Sequence, residues 1–229
     1  MEICEIKRRL RILRDEKYAD FSAKLIPGFE KRYFIGVRTP LLKSFAREIV
    51  HESNYEDFLT ALPHECFEEN LLHAFILANE KYSIEETIKR VKFFLPYIDN
   101  WAVCDQFSVK LFGKYPSIIY PYLKKWMTSE HLYTRRFGVV NSMRFFLDEK
   151  FEPYMLDDVA AAITDDYYVQ MAVAWYFATA LAKQWSSAVF YIEQRRLPDI
   201  VFRMAIRKAL ESYRVSNEQK AYLRILYIQ

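Results

Sequence analysis

Apolar residues recur along most of the chain at intervals of three and four positions, which is the period of an amphipathic α-helix. Helix-capping residues separate the periodic segments: Thr39 precedes Pro40, and Ser83 stands three residues before Glu86 as in a capping box. The chain has only four glycines, which also favours helices over extended strands and long loops. The pattern predicts helices at 2–15, 18–26, 39–51, 54–61, 66–80, 84–98, 101–113, 117–127, 131–147, 153–163, 167–183, 186–193, 197–212 and 216–227.

Helices joined by such short connections must pack in an antiparallel manner, and a run of antiparallel pairs forms an α-solenoid. Long helices begin near Trp101, Thr134 and Tyr167, at intervals of about 35 residues, which is within the range of helical repeat families. The expected fold is therefore all-α, with inner helices lining one concave face. Because no linker rich in Gly, Ser or Pro interrupts the pattern, we expect a single domain over 1–229.

Composition changes this picture little. Of the 229 residues, 52% are hydrophobic, which is enough to fill a continuous core. The 33 basic and 30 acidic residues leave a net charge of only +3, and no basic tail is present. Any binding of nucleic acid must therefore depend on positive charge gathered on one face of the protein.

The cysteines and the hydropathy pattern indicate a cytoplasmic protein without a metal or a membrane partner. Cys4, Cys66 and Cys104 lack the CxxC spacing that brings two thiolates to one metal, and they suit a reducing compartment. The charged amino-terminal segment lacks the apolar run of a signal peptide, and no later stretch reaches about 18 uncharged apolar residues.

Trp101 and Asp105 are the first candidates for chemistry. They are separated by four positions, so on a helix both side chains project from one face, about a turn apart. A Trp beside a carboxylate forms an aromatic and anionic niche. The alternative is a core Trp with an Asp near the amino-terminal end of a helix, where the helix dipole favours negative charge.

Spacing connects these two residues with others further along the chain. Arg136 follows Trp101 by 35 positions, Trp175 follows Arg136 by 39, and Arg214 follows Trp175 by 39. Residues one repeat apart lie side by side on successive inner helices, so this register places them along one groove. Arg144 follows Arg136 by eight positions, close to the same helical stripe. The alternative is coincidence, because the chain has many basic and aromatic residues.

Two other segments carry weaker signals. HECFEENLLH at 64–73 contains His, Glu and Cys, but its histidines are nine positions apart rather than the four of the HExxH zinc motif. We therefore expect no metal there. KRRLRILR at 7–14 is a basic helix that can contact DNA or an acidic partner, or can simply form a solvated face.

Four segments of the chain carry a resemblance to a known family. They are YFIGVRTPLLKSFAREI at 33–49, NWAVCD at 100–105, LYTRRFGVV at 132–140 and DDYYVQMAVAW at 165–175. In order and spacing they resemble the HEAT-like-repeat DNA alkylation-repair family, whose members include the AlkD-type alkylpurine DNA glycosylases. The hexapeptide IGVRTP and the pattern VQ-x-A-x-x-W are the most specific parts of the match.

The resemblance implies a function and a role for each candidate residue. Trp101 and Asp105 would be the catalytic pair, Arg136 the phosphate-binding arginine and Trp175 a second groove tryptophan. Arg135 and Arg144, the neighbours of Arg136, would hold further phosphates. Arg214, which only the repeat spacing places in the same groove, is a further candidate for contact with DNA. The implied partner is double-stranded DNA, alkylated or not, and the implied reaction needs neither a cofactor nor a metal. We expect a monomer.

One segment departs from the pattern of the base-excising members. In those members a long second helix near the amino terminus presses against the lesion, whereas here Pro27 and Gly28 interrupt the corresponding stretch. The stretch resembles a branch of the family with a shortened amino-terminal helical region. Two functions therefore remain open: excision of cationic N3- or N7-alkylpurines, and a non-catalytic helical-repeat scaffold that binds DNA, RNA or protein.

Overall fold

The structure, a computed structural model, describes residues 1–51 and 54–228, and over these ranges the chain is all-α without a strand. This confirms the predicted fold class. No helix within the described ranges is both long enough and apolar enough to cross a membrane. The α-helices are α1 (Ile3–Ile12), α2 (Glu16–Leu25), α3 (Thr39–His51), α4 (Glu56–Thr60), α5 (Phe67–Asn79), α6 (Ile84–Phe94), α7 (Trp101–Gln106), α8 (Pro116–Met127), α9 (Leu132–Phe146), α10 (Met155–Ala160), α11 (Tyr167–Lys183), α12 (Trp185–Glu193), α13 (Asp199–Glu211) and α14 (Asn217–Ile228).

Each predicted helix has an observed counterpart, but the one predicted at 101–113 is much shorter. α7 ends at Gln106, and Phe107 adopts an extended backbone with φ −76° and ψ 97°. The Phe107 ring is fully buried and packs edge-on against Phe94, with ring centroids 5.7 Å apart. The prediction of one continuous helix is therefore wrong, because burial of Phe107 outweighs the helical period of the segment.

The chain forms two compact units, residues 1–111 and 112–229. In the first unit α3 packs on α5, and α5 packs on α7. In the second unit α9 packs on α11, and α11 packs on α13. Alternate helices therefore lie side by side within each unit, as expected for stacked helix pairs. The single domain over 1–229, a range that includes positions outside the described residues, stays a prediction.

Each unit is built around a helix that is buried on nearly all sides. These are α5 in the first unit and α11 in the second. In the second unit the close approach of α9 to α8 depends on Gly138, because a Cβ atom there would lie 2.8 Å from the backbone nitrogen of Met127. A side chain at this position would force the two helices apart.

Candidate functional site

Helix α7 is anchored at its first turn by a buried asparagine. Asn100 precedes the helix in an extended conformation, and its side-chain oxygen accepts a hydrogen bond from Val103 N at 3.0 Å. This cap satisfies a backbone donor that would otherwise lack a partner within the helix. The side-chain nitrogen of Asn100 donates to Asp99 Oδ1 at 2.7 Å. The cap therefore fixes where α7 begins, and with it the position of Trp101.

Two further side chains hold Asp99 in place. Tyr33 donates its hydroxyl hydrogen to Asp99 Oδ2 at 2.6 Å, and Asn70 Nδ2 donates to the Tyr33 oxygen at 2.9 Å. Burial of Tyr33 raises the pKa of its hydroxyl, and the Asp99 carboxylate raises it further, so the hydroxyl stays protonated. This network ties α5 and the loop before α3 to the start of α7.

Trp101 and Asp105 line one mostly apolar cavity of about 140 Å³ in the first unit. Both side chains are half-buried. The opposite wall is formed by α2 and the residue after it. The cavity is lined by Tyr18, Phe21, Ser22, Leu25, Ile26, Thr39, Phe67, Trp101, Ala102, Asp105 and Gln106. The predicted common face of Trp101 and Asp105 is therefore observed, and their catalytic roles stay predictions.

The IGVRTP segment holds the start of α2 against the first unit. Asp15 caps α2 by accepting from Tyr18 N at 3.1 Å, and its backbone nitrogen donates to Gly36 O at 3.2 Å. Arg38 Nη2 donates to Asp15 Oδ2 at 2.8 Å, and its guanidinium lies over the Tyr18 ring. Gly36 has φ +91°, and a Cβ atom there would lie 2.0 Å from Asp15 O, so only glycine fits.

A buried carboxylate on α5 also holds the IGVRTP segment in place. The Glu68 carboxylate on α5 accepts hydrogen bonds from Ile35 N at 2.8 Å, Gly36 N at 2.7 Å and Val37 N at 3.2 Å. Burial raises the pKa of Glu68, while the three backbone donors act in the opposite direction. The most specific part of the motif therefore has a structural role, which is to position the α2 wall of the cavity.

The predicted interruption of the second helix is confirmed. α2 ends at Leu25, and Gly28 adopts φ +94°, a conformation that L side chains rarely take. A 3-10 turn at Lys31–Tyr33 follows before the IGVRTP segment. Near the end of α2, Phe21 and Leu25 are about half exposed although they line the cavity.

Trp175 and Arg214 meet at a second cavity, of about 180 Å³, in the second unit. Trp175 lies on α11, while Arg214 follows the end of α13. The 39-residue spacing therefore brings these two residues together. The rest of the lining consists of Ala178, Thr179, Lys208, Glu211 and Ser212.

The structure places Arg135 and Arg136 in contact with backbone carbonyl groups. Arg136 is only 4% exposed, and its Nη1 donates to the carbonyl oxygen of Tyr168. Arg135 Nε donates to Ser129 O at 2.7 Å, and its Nη1 donates to Ala162 O at 3.2 Å. Arg144, near the end of α9, is half-buried. The geometry thus gives Arg135 and Arg136 a role in connecting α9 to neighbouring segments, and their contact with DNA stays a prediction.

Comparison with known proteins identifies the family. A family model described as DNA alkylation repair enzyme matches residues 6–211, which is most of the chain. The chain belongs to this DNA alkylation repair enzyme family. No curated protein matches the chain. The matched range contains α7 with Trp101 and Asp105, and it also contains Trp175 and Lys208, whereas α14 lies beyond it.

Within this family member, the basic amino-terminal helix is largely neutralised by its own contacts. Arg9 forms a two-point ion pair with Glu48, Arg8 pairs with Glu5, and Lys7 approaches Glu65 at 3.1 Å. Carboxylates of the same protein therefore pair with several of the basic side chains on α1 that the sequence suggested as contacts for DNA. Among the described residues, no group of three or more His, Cys, Asp or Glu side chains is arranged to hold a metal ion.

Several residues that line the two cavities were not predicted from the sequence. Tyr18, Phe21 and Leu25 share one face of α2 at helical spacing, and that period was the available signal. Nothing in the sequence indicated that this face is opposite Trp101. Lys208 lies six positions before Arg214, and this short separation between two basic residues was the available signal. Four of the predicted site residues therefore line the two cavities: Trp101 and Asp105 the first, and Trp175 and Arg214 the second. Arg135 and Arg136 on α9 instead contact backbone carbonyl groups.

Proposed function

We propose that this protein binds DNA and that the Trp101 and Asp105 cavity receives the sugar of a cationic N3- or N7-alkylpurine nucleotide, where the protein hydrolyses the bond between base and sugar. The observation that carries the proposal is that a carboxylate and an indole line one mostly apolar cavity in a member of the DNA alkylation repair enzyme family. The spacing of Trp101 and Asp105 on the first turns of α7 supports the same conclusion.

The apolar lining strengthens the effect of the Asp105 carboxylate. Charges interact more strongly beside apolar surface than in bulk water, so a carboxylate in this mostly apolar cavity stabilises a nearby cation more than a fully solvated carboxylate does. The indole of Trp101 presents an aromatic face, which also attracts cations. Both features favour a positively charged nucleotide over an uncharged one.

The chemistry follows from the charge of the lesion. An N3- or N7-alkylpurine is already cationic, so when the bond from the sugar C1′ to the base nitrogen breaks, the electron pair neutralises the base and no general acid is needed. The sugar becomes an oxocarbenium ion, which Asp105 stabilises by its negative charge. Water then adds to C1′ and loses a proton to the carboxylate or to solvent. The products are the free alkylpurine and an abasic site.

The second candidate is binding of DNA without excision. The observation that favours it is the end of α2 at Leu25, because Pro27 and Gly28 prevent a long second helix that would press a lesion towards Asp105. In this case the same cavity retains the sugar of a cationic nucleotide without breaking the bond to its base. An assay of base release separates the two candidates.

The test is release of 7-methylguanine and 3-methyladenine from methylated duplex DNA by the wild-type protein, Asp105→Asn and Asp165→Asn. Asp165 is an exposed aspartate outside both cavities and serves as the matched control. We expect release by the wild type and the control, and a rate lower by about 100-fold in Asp105→Asn. Release that is independent of Asp105 contradicts the catalytic role. Absence of release by the wild type, with duplex binding retained, establishes the binding-only candidate.

A further inference from the structure

The family resemblance implies that Arg136 and its neighbour Arg135 bind phosphate, but backbone carbonyl groups already accept hydrogen bonds from both guanidinium groups. Arg136 is buried and donates to Tyr168 O, while Arg135 donates to Ser129 O and Ala162 O. These acceptors belong to the segment before α9, the segment between α10 and α11, and the first turn of α11. A phosphate that recruited either guanidinium would have to break contacts that connect α9 to its neighbours, and lost bonds to charged groups are costly.

The cavity at the end of α13 offers positive charge in a more accessible position. Lys208 is half-buried in the last turn of α13, and Arg214 is exposed three residues after that helix ends. Both line the cavity together with the hydroxyl-bearing side chain of Ser212. An ammonium, a guanidinium and a hydroxyl are the donors with which proteins commonly hold phosphate oxygens.

The size of the cavity and its aromatic wall indicate how much of a nucleic acid it accepts. Its volume of about 180 Å³ is below the roughly 300 Å³ at which pockets for drug-sized ligands begin. This suits one phosphodiester group with part of the attached sugar better than a complete nucleotide. The half-exposed indole of Trp175 forms the opposite wall and offers an apolar surface for the sugar.

We propose that Lys208, Ser212 and Arg214, with Trp175 as the opposite wall, form a subsite for one phosphodiester of the DNA backbone. The proposal rests on the proposed function, because it takes DNA as the ligand. It moves the phosphate contact from Arg135 and Arg136 to the end of α13. Phosphate contacts set the register of the protein on the duplex and read no sequence, so this subsite acts alike on alkylated and unmodified DNA.

Glu211 allows a test in which a substitution strengthens DNA binding, whereas substitution of Lys208 and Arg214 weakens it. Its exposed carboxylate lines the same cavity and opposes a bound anion. Glu211 also lies near Arg207 and contributes, after the Tyr227 contacts, to the raised pKa of that arginine. Glu211→Gln therefore removes a repulsive charge while it keeps the shape of the side chain. The subsite predicts tighter DNA binding by this variant, an effect that damage to the fold does not produce.

The experiment measures the dissociation constant for a short unmodified DNA duplex at several salt concentrations. The variants are Lys208→Ala with Arg214→Ala, the charge-preserving Arg214→Lys, Glu211→Gln, and the control Arg224→Ala, an exposed arginine on α14 outside the cavity lining. We expect the double variant to bind roughly tenfold more weakly at low salt. Its slope of log affinity against log salt should be smaller by about 0.9, the value for one phosphate contact. Arg214→Lys should retain most of the slope, and Arg224→Ala should match the wild type.

The outcomes separate failure of the subsite from failure of the proposed function. If the wild type binds the duplex and the double variant loses no more affinity than Arg224→Ala, the subsite is wrong while DNA binding stands. If Glu211→Gln binds no more tightly than the wild type, the subsite is also contradicted. If the wild type does not bind the duplex even at low salt, the proposed function fails, and the subsite fails with it. Circular dichroism melting of each variant excludes unfolding as the cause of weaker binding.

Discussion

At the scale of single residues, the half-buried His64 and the buried His73 form a pair in the first unit. His64 Nε2 and His73 Nδ1 are 2.9 Å apart, so one ring donates a hydrogen bond to the other. The His73 ring stacks on Phe94 and the His64 ring stacks on Phe58. Burial lowers the pKa of His64 to about 4, with a smaller contribution from the charge of Lys7, and burial lowers the pKa of His73 as well.

The pair predicts a loss of stability in mild acid. Below about pH 6.5 the unfolded chain binds protons at these histidines that the folded protein does not, so the free energy of unfolding falls as the pH falls. The loss from His64 begins near pH 6.5 and continues to about pH 4, at up to about 1.4 kcal/mol per pH unit. Urea unfolding at pH 7, 6 and 5 measures this dependence.

His64→Gln provides the comparison, because glutamine can still bond to His73 but does not titrate. The variant should lose less stability between pH 7 and pH 5 than the wild type does. Other titrating groups are common to the two proteins, so the difference in slope isolates His64. An identical pH dependence for both proteins would show that His64 has the same pKa in the folded protein as in the unfolded chain.

The residues of the candidate site differ in how far sequence alone could predict them. The common face of Trp101 and Asp105 followed from helix geometry, and the meeting of Trp175 with Arg214 followed from repeat spacing. The engagement of Arg136 with Tyr168 O could not be predicted. Periodicity gives the face on which a side chain lies, but not which carbonyl groups from other segments approach it.

At the scale of secondary-structure elements, the position of α7 depends on contacts made by residues outside the helix. Its first turn depends on Asn100 and Asp99, and Asp99 is held by Tyr33 from the loop before α3. A six-residue helix has little stability of its own, so its position depends on these contacts. Tyr33 is therefore expected to act on the cavity through α7 without touching a ligand there.

Tyr33→Phe tests this positioning role. The change removes one hydroxyl that accepts from Asn70 and donates to Asp99, so we expect a loss of about 1–2 kcal/mol in the free energy of unfolding. If the proposed function holds, release of alkylpurine should slow as well, since Asp105 is less well fixed. Tyr213→Phe, at an exposed tyrosine after α13, is the control and should change neither quantity. Unchanged stability in Tyr33→Phe would mean that the network does not hold α7.

The elements themselves were largely predictable, and their tertiary roles were not. The 3.6-residue period and the cap residues gave the helices, including the end of α2 before Pro27. The early end of α7 depends on burial of Phe107 against Phe94, which is a tertiary contact. The role of α2 as a cavity wall depends on Glu68, which bonds to a segment more than 30 residues earlier in the chain. Local patterns do not contain such long-range contacts.

At the scale of the whole molecule, net charge is a poor guide to where positive charge is available for a ligand. The chain carries 33 basic residues and a net charge of +3, but ion pairs on α1 and carbonyl contacts around α9 engage several of the basic side chains that the sequence suggested as contacts for DNA. The residues that line the two cavities differ more clearly in charge. The first unit presents a carboxylate and an indole, which suit a cation, and the second presents Lys208 and Arg214, which suit an anion.

The central claim is that Asp105 and Trp101 receive a positively charged sugar or base. The most direct measurement compares the affinity of the protein for two DNA duplexes, one with a cationic pyrrolidine in place of a nucleotide sugar and one with the neutral tetrahydrofuran analogue. Wild-type protein should bind the cationic duplex about tenfold more tightly, and Asp105→Asn should lose most of this preference, with only the contribution of the Trp101 indole left. Equal affinity of the wild type for the two duplexes, or an undiminished preference in Asp105→Asn, would contradict the proposed role of Asp105.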